Sequence, residues 1–207
     1  NKLPKKNKLN KNLIKELKKR NIWVASSTHA GEEKFCSQTH IELKKRIKNL
    51  TTIIIPRHIH RVDQIVSEIK NLNLKVDLHS SKKSRLNLTD IYIVDTFGDT
   101  QDFHKIASSV FLGGSVIKRG GQNPLEAARF GAKILHGPNI DNFKDIYKKL
   151  KSLKISVRVT TPKKLASSIV FEKNKNMGDK IKNIGTKIFK KTIKELDSII
   201  NNELKKT

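Results

Sequence analysis

The 207-residue chain carries 44 Lys+Arg against 19 Asp+Glu, a formal charge of +25, and only 5% aromatic residues. Its length suffices for one well-buried core, and its single cysteine, Cys36, excludes an internal disulfide and fits a reducing compartment. Such a charge attracts nucleic acid or anionic lipid, but the basic residues are mostly dispersed lysines. With so few aromatics there is no base-stacking platform, so the reading is a solvated or membrane-facing basic surface and no nucleic acid.

Residues 1–21 are rich in Lys and Asn, with one weak helical stripe, Leu13, Ile14 and Leu17. They read as a linker or the end of something upstream. Ile22–Ser26 predicts a strand, and Ser27–Gly31 a turn into a helix from Glu32 to about Ile47. Thr52–Ile55 predicts a second strand ending at Pro56-Arg57-His58. A helix over Val62–Leu72 follows, with Val62, Ile65, Val66 and Ile69 on one face, then a third strand, Leu74–Leu78. After a polar loop, Ser80–Leu88, a fourth strand, Ile91–Val94, leads into Asp95-Thr96-Phe97-Gly98 and a short helix, Phe103–Ser108.

Val110–Leu112 is a short apolar run suited to a buried strand. It stops at Gly113-Gly114-Ser115, and Gly120-Gly121 follows beside Arg119. Asn123-Pro124 predicts a helix start, because Asn caps well and Pro is tolerated at the first helical position; Leu125–Phe130 is that helix. Lys133–Leu135 is a strand before His136-Gly137-Pro138. A helix over Asn142–Leu153, a strand over Ser156–Thr160 and a helix over Lys163–Val170 complete the pattern. Residues 177–204 read as a long Lys-rich amphipathic helix with a break near Gly185. The expected division is 1–21, a core domain 22–175, and the helix 176–207. The chain begins with Asn, shows no secretory signal and has no apolar run of membrane-spanning length, so it is expected to be an excerpt or processed piece.

Alternating strands and helices imply a parallel sheet with helices on both faces, a Rossmann-like α/β fold. Ligands of such sheets bind beyond the carboxyl ends of the strands. Every polar cluster lies at such an end: Ser27–Glu33, Arg57-His58, Asp95–Gly98, Gly113–Glu126 and His136–Pro138. These segments are expected to line one cleft.

The residue types fit a phosphate and ribose site. Glycines such as Gly114 and Gly121 let a ligand approach the backbone, and a helix N-terminus offers N–H donors to an anion. Glu126 can hold a ribose diol, and Ser115 and Asn123 complete the pocket. Arg57 suits a phosphate clamp because its fork matches anionic oxygens. Ser27, Thr28 and His29 supply hydroxyls, N–H groups and an imidazole at a helix start, although Ser or Thr before an acidic pair also reads as plain capping. His58 and His60 make no convincing metal pair, because no further ligands stand at recognisable spacing. No metal is expected.

These strings resemble a family. S-T-H-x-G-E-E at Ser27–Glu33, P-R-H at Pro56–His58, D-T-x-G at Asp95–Gly98, G-G-S-x(4)-G-G-Q-N-P-L-E at Gly113–Glu126 and G-P-x-x-x-N-F at Gly137–Phe143 occur in order. They are similar to the C-terminal half of the 3-deoxy-D-manno-octulosonic acid (Kdo) transferases, GT-B glycosyltransferases of lipopolysaccharide assembly. Gln122 stands where that family usually has His, Phe97 where it has Met, and Ile59-His60 where it has Pro-Glu. The resemblance implies a donor-binding GT-B domain that takes CMP-Kdo as substrate and needs no cofactor. It implies Glu126 on the ribose, Phe97 and Gly98 at the cytosine, and Arg57 at the phosphate. It further implies a lipid A precursor as acceptor, a general base in an N-terminal half beyond this chain with no catalytic residue here, and a place at the cytoplasmic face of the inner membrane. Two other readings compete: a GT-B enzyme using a UDP-sugar, and a non-enzymatic basic module for nucleic acid or membrane.

Overall fold

The computed structural model describes residues 9–81 and 86–174, together with 176, 178–181 and 183. Seven strands form one sheet: β1 Asn21–Thr28, β2 Leu50–Pro56, β3 Val76–Leu78, β4 Ile91–Ile93, β5 Ser109–Leu112, β6 Lys133–His136 and β7 Ser156–Arg158. Their order is β3-β4-β2-β1-β5-β6-β7, and every recorded pairing is parallel. The helices are α1 Lys11–Lys18, α2 Glu32–Lys44, α3 Val62–Lys70, α4 Thr100–Ile106, α5 Leu125–Arg129, α6 Lys144–Ser152 and α7 Pro162–Ser168.

Successive side chains of a strand point to opposite faces, and here both faces are dry. Ile22, Val24, Ile53, Ile55, Val110 and Leu112 pack with Leu17 of α1, Phe103 of α4, Ala127 of α5 and Tyr147 of α6. The intervening Trp23, Ala25, Ile54 and Phe111 pack with Cys36 of α2, Ile65 of α3 and Leu165 of α7. Burial on both faces explains why the strands read as continuous apolar runs rather than alternating ones. Cys36 is wholly buried, and desolvation raises its thiol pKa well above the usual range, which fits its reading as a packing residue.

The expected α/β architecture is present, with shifted boundaries. Residues 1–21, expected as a linker or the end of something upstream, include α1, and the weak stripe is what the packing uses: Leu17 is fully buried, with Leu13 and Ile14 against the core. α4 begins at Thr100, three residues before its predicted start at Phe103, and α5 ends at Arg129. The helix predicted over Asn142–Leu153 is a 3₁₀ turn, Asp141–Phe143, followed by α6. Of the predicted C-terminal helix, residues 178–181 and 183 are helical and Ile181 is buried in the core. The rest of it, with the break near Gly185, lies outside the described residues.

Candidate functional site

The chain runs outward from β1 to β2 and β4, then returns to place β5 on the other side of β1. This reversal is a topological switch point, where open α/β sheets leave a crevice beyond the strand ends. Ser26 pairs with Leu112 and Leu112 with His136, so β5 and β6 end level with Ser26, and β1 runs two residues further. The segments following them, 27–31, 113–121 and 137–139, therefore share one edge.

Their approach is close. A Cβ at Gly113 would lie 2.2 Å from Ser27 O, so only glycine fits between the ends of β1 and β5. Ser27 itself takes a positive φ of 56°. Asn139 donates its side-chain amide to Ser115 O and Val116 O at 3.1 Å each, binding the β6 end to the same loop.

Glu32 organises this loop, a role the sequence reading missed. Its wholly buried carboxylate accepts hydrogen bonds from four backbone N–H groups: His29 at 3.1 Å, Gly114 at 2.7 Å, Ser115 at 3.1 Å and Val116 at 2.9 Å. The backbone N–H groups of residues 114–116, beside the glycines expected to admit a ligand, are thus taken by an internal carboxylate. Ser115, expected at the pocket, is fully buried; its hydroxyl donates to Leu112 O and accepts from Gly137 N–H at 2.8 Å. It builds the floor rather than facing a ligand. Neighbouring Glu33 is also buried and pairs in fork fashion with Arg61, Nη1–Oε1 at 3.1 Å and Nη2–Oε2 at 3.3 Å, which fixes the segment after β2 against α2. Glu32 keeps one local bond, to the His29 N–H three residues back, and the pair otherwise makes long-range ties; the α2 cap residue, Gly31, makes no side-chain bond.

The outer side of this edge carries basic groups. Thr28 O accepts the Arg57 N–H at 2.9 Å, which sets Arg57 beside the Ser27–His29 turn. Arg57 is exposed, and its guanidinium has no partner among the described residues. The rings of His29 and His58 lie 5.7 Å apart and those of His58 and His60 5.6 Å apart. Thr28 Oγ1 and His29 Nε2 are buried polar atoms with no partner among the described residues. Desolvation depresses the His29 pKa, partly opposed by Glu32 and deepened by His58 and Arg119. Unpaired buried polar atoms are costly, so two of them beside free cationic side chains mark this edge as a place for a ligand.

The remaining candidates border the same edge through α4, which packs against β1 and α5. Phe97 is 79% exposed and Gly98 has a positive φ of 92°, in the turn before α4. Asp95 accepts from Ser80 N–H and Oγ, and Thr96 donates to Asp99 at 2.7 Å, so this turn is held from within. Gly121, φ 74°, donates its N–H to Gly114 O at 2.9 Å and closes the loop. Asn123 Oδ1 accepts the Leu125 N–H at 3.0 Å and opens α5. Glu126 is half-buried in the first turn of α5, with no partner among the described residues. Because α5 has only five residues, its dipole is a small contributor. His136 is buried against Tyr147, ring centroids 4.4 Å apart, and Tyr147 Oη donates to Gln122 O at 3.0 Å. His136 thus ends a strand and supports the loop from below.

A cavity of about 480 Å³ lies at the opposite, amino-terminal edge, lined by Arg20, Lys44, Lys48, Lys75 and Asp90 among others. Its key charges are spent within the fold: Arg20 donates to Leu50 O and Thr89 O, and Lys44 pairs with Asp90 at 2.6 Å. Free cationic side chains and orphaned polar atoms coincide at the carboxyl edge. No group of His, Cys, Asp or Glu that could hold a metal occurs among the described residues.

Over 175 residues, 83% of its length, the chain is 33% identical to a 3-deoxy-D-manno-octulosonic acid transferase of Rickettsia bellii. The chain is a relative of the 3-deoxy-D-manno-octulosonic acid transferases. It is also 30% identical to the transferase of that name from Haemophilus influenzae over 63% of its own length. It covers 41% and 31% of these two relatives, so it spans well under half the length of the Kdo transferases it matches. Its fold is that of the C-terminal CMP-Kdo binding domain of WaaA from Acinetobacter baumannii, with a TM-score of 0.67, 24% identity, and coverage of 76% of this chain and 87% of that one. No protein-family model matches the chain.

Proposed function

We propose that this chain is the donor-binding part of a Kdo transferase, holding CMP-Kdo while the sugar passes to a lipid A precursor in lipopolysaccharide synthesis. Residues 22–175 form the nucleotide-sugar domain, and 1–21 lead in from an acceptor-binding half. The observation that carries the reading is the switch-point edge, where the Ser27–Glu33, Arg57-His58 and Gly113–Glu126 segments meet around unpaired polar atoms. The family relationship supplies the ligand.

In this reading Arg57 holds the phosphate. Its planar fork matches two phosphate oxygens, and its exposure leaves it free to do so. Glu126 accepts both ribose hydroxyls, which its lack of a protein partner permits. Phe97 covers one face of the cytosine, while backbone groups near Gly98 read the edge. An acceptor hydroxyl attacks the anomeric carbon, a base in the other half takes its proton, and CMP departs with its negative charge. The contribution of these residues is to stabilise that charge as the bond breaks. The leaving group is already a phosphate, and the site's cations neutralise it, so a metal is not obligatory for the step. The enzyme works at the cytoplasmic face of the inner membrane, with the basic surface toward anionic lipid.

Calorimetric titration with CMP, UMP and AMP tests this. Selective CMP binding is expected; a preference for UMP moves the chain to a UDP-sugar transferase, and no nucleotide binding at all argues for a basic module. Glu126→Ala should weaken CMP binding about tenfold, in line with loss of charge-assisted hydrogen bonds worth about 1.5–3 kcal/mol. Unchanged CMP affinity would remove Glu126 from the ribose.

A further inference from the structure

Three side chains converge on the bare Cα of Gly114. A Cβ built there would lie 3.3 Å from Arg119 Cβ, 3.5 Å from Gln122 Nε2 and 3.5 Å from His29 Cδ2. The loop that bears Arg119 is tied down. Arg119 N–H donates to Ile117 O at 2.9 Å, Gly121 N–H to Gly114 O at 2.9 Å, and Asn142 N–H to Gly120 O at 3.1 Å. Arg119 itself is exposed, and its guanidinium has no partner among the described residues. His29 Nε2, on the facing turn, is buried and equally unpartnered.

The backbone donors at this spot are already saturated, because Glu32 occupies the N–H groups of residues 114–116. Glu32 and Glu33 are the nearby acids, and both are buried and spent, on the loop and on Arg61 respectively. What remains is an exposed guanidinium, a carboxamide NH₂ and an imidazole whose Nε2 is buried without a partner among the described residues, drawn together around a glycine where a Cβ would touch all three side chains. That donor set matches a second anion, apart from the one Arg57 takes.

We propose that Arg119, with Gln122 and His29, forms a subsite for a carboxylate on the donor sugar. This rests on the Kdo-transferase reading of the edge. An octulosonic acid brings a carboxylate that a neutral hexose lacks, and a guanidinium receives it through two parallel hydrogen bonds. Arg119 is then the residue that separates an acidic donor sugar from a neutral one. Gln122 supplies a permanent NH₂ donor whose charge state does not vary with pH.

The test is calorimetric titration of the purified chain with CMP and with CMP-Kdo, for the unaltered protein, Arg119→Ala and Arg119→Lys. The unaltered chain should bind CMP-Kdo more tightly than CMP. Arg119→Ala should keep its CMP affinity within about twofold and lose about tenfold for CMP-Kdo, the scale of a lost charge-assisted pair. Arg119→Lys, which keeps the charge but not the fork, should fall between. Equal losses for both ligands would make Arg119 a nucleotide residue and overturn the subsite; so would unchanged CMP-Kdo affinity, or an unaltered chain that gains nothing from the sugar. Failure of the unaltered chain to bind CMP would overturn the donor-domain reading itself, a separable result. Thermal unfolding midpoints matching the unaltered chain show that each variant is folded.

Discussion

Glu32 shows how one side chain can decide the shape of a site it does not enter. Four N–H groups close on its carboxylate, and three belong to a loop more than eighty positions away in the chain. Glu32→Ala leaves these donors buried without an acceptor. The expected cost is about 3–5 kcal/mol, typical of breaking a buried charged partnership, with faster hydrogen exchange at residues 114–116 and loss of CMP binding. Unfolding in denaturant and exchange mass spectrometry check both parts. The glycines and Arg57 could be picked out as candidates in the sequence because their chemistry is local. Glu32 was not: an acid after Ser-Thr-His reads equally as a helix start, and its partners lie across the switch point. Ser115 misled for the same reason, since its hydroxyl turns inward to Leu112 and Gly137.

Two buried histidines contribute to the acid response. Burial lowers the pKa values of His40 and His104 to about 4; Asp90 partly counters this for His40, and Lys173 deepens it for His104. Above pH 6.5 both are neutral in folded and unfolded chains, and neither costs stability. As pH falls below 6.5 the unfolded chain takes up protons that the fold refuses, so stability declines until the folded histidines titrate near pH 4. Each contributes a loss of about 3 kcal/mol across that window. Denaturant melts at pH 7.5, 5.5 and 4.5 should show this slope, and His104→Asn should flatten it; an unchanged slope in that variant would contradict the assignment.

Among the elements, the central strands were the easiest to read. β1, β2 and β5 are covered by helices on both faces, so each centres on an unbroken apolar run, Ile22–Ala25, Ile53–Ile55 and Val110–Leu112, and the burial of those runs follows from composition. Phe111 illustrates the dependence: it is fully buried, and its ring lies 5.9 Å from that of Phe35. Phe111→Ala should cost about 3–5 kcal/mol, the usual range for emptying a core aromatic position, and a calorimetric melt measures it. Ends and short elements were harder. α1 hid in a Lys- and Asn-rich stretch because only Leu17 and its two flanking apolar residues face the core. The Asp141–Phe143 turn and α6 read as one helix because a 3₁₀ turn preserves nearly the same spacing. β3 and β7 have three residues each, and both were read two residues too long, as Leu74–Leu78 and Ser156–Thr160.

For the molecule as a whole, the charge of +25 is the feature the fold does not use. Among the described residues few lysines make structural ties; Lys44, bonded to Asp90, is one, and α6 carries exposed Lys144, Lys148, Lys149 and Lys151. The chain should therefore co-sediment with vesicles rich in anionic lipid and dissociate as salt rises, since each basic residue near such a surface contributes about 1 kcal/mol. Co-sedimentation that ignores lipid charge would reject the membrane-facing surface. The architecture was legible because strand and helix signals alternate regularly; the charge pattern was legible only as a total, since composition does not reveal which lysines share a face.

A sheet in which every recorded neighbour is parallel contains no hairpin. Each pairing waits for a crossover to be laid down, and chains built from such distant contacts fold slowly. β1 can meet β2 soon after synthesis, but Val24 must wait for Val110. Until then one edge of β1 is an open template for other strands. The junction that makes the crevice is thus a late arrival on the folding route, and a nascent chain halted before β5 holds half a binding site and an adhesive edge.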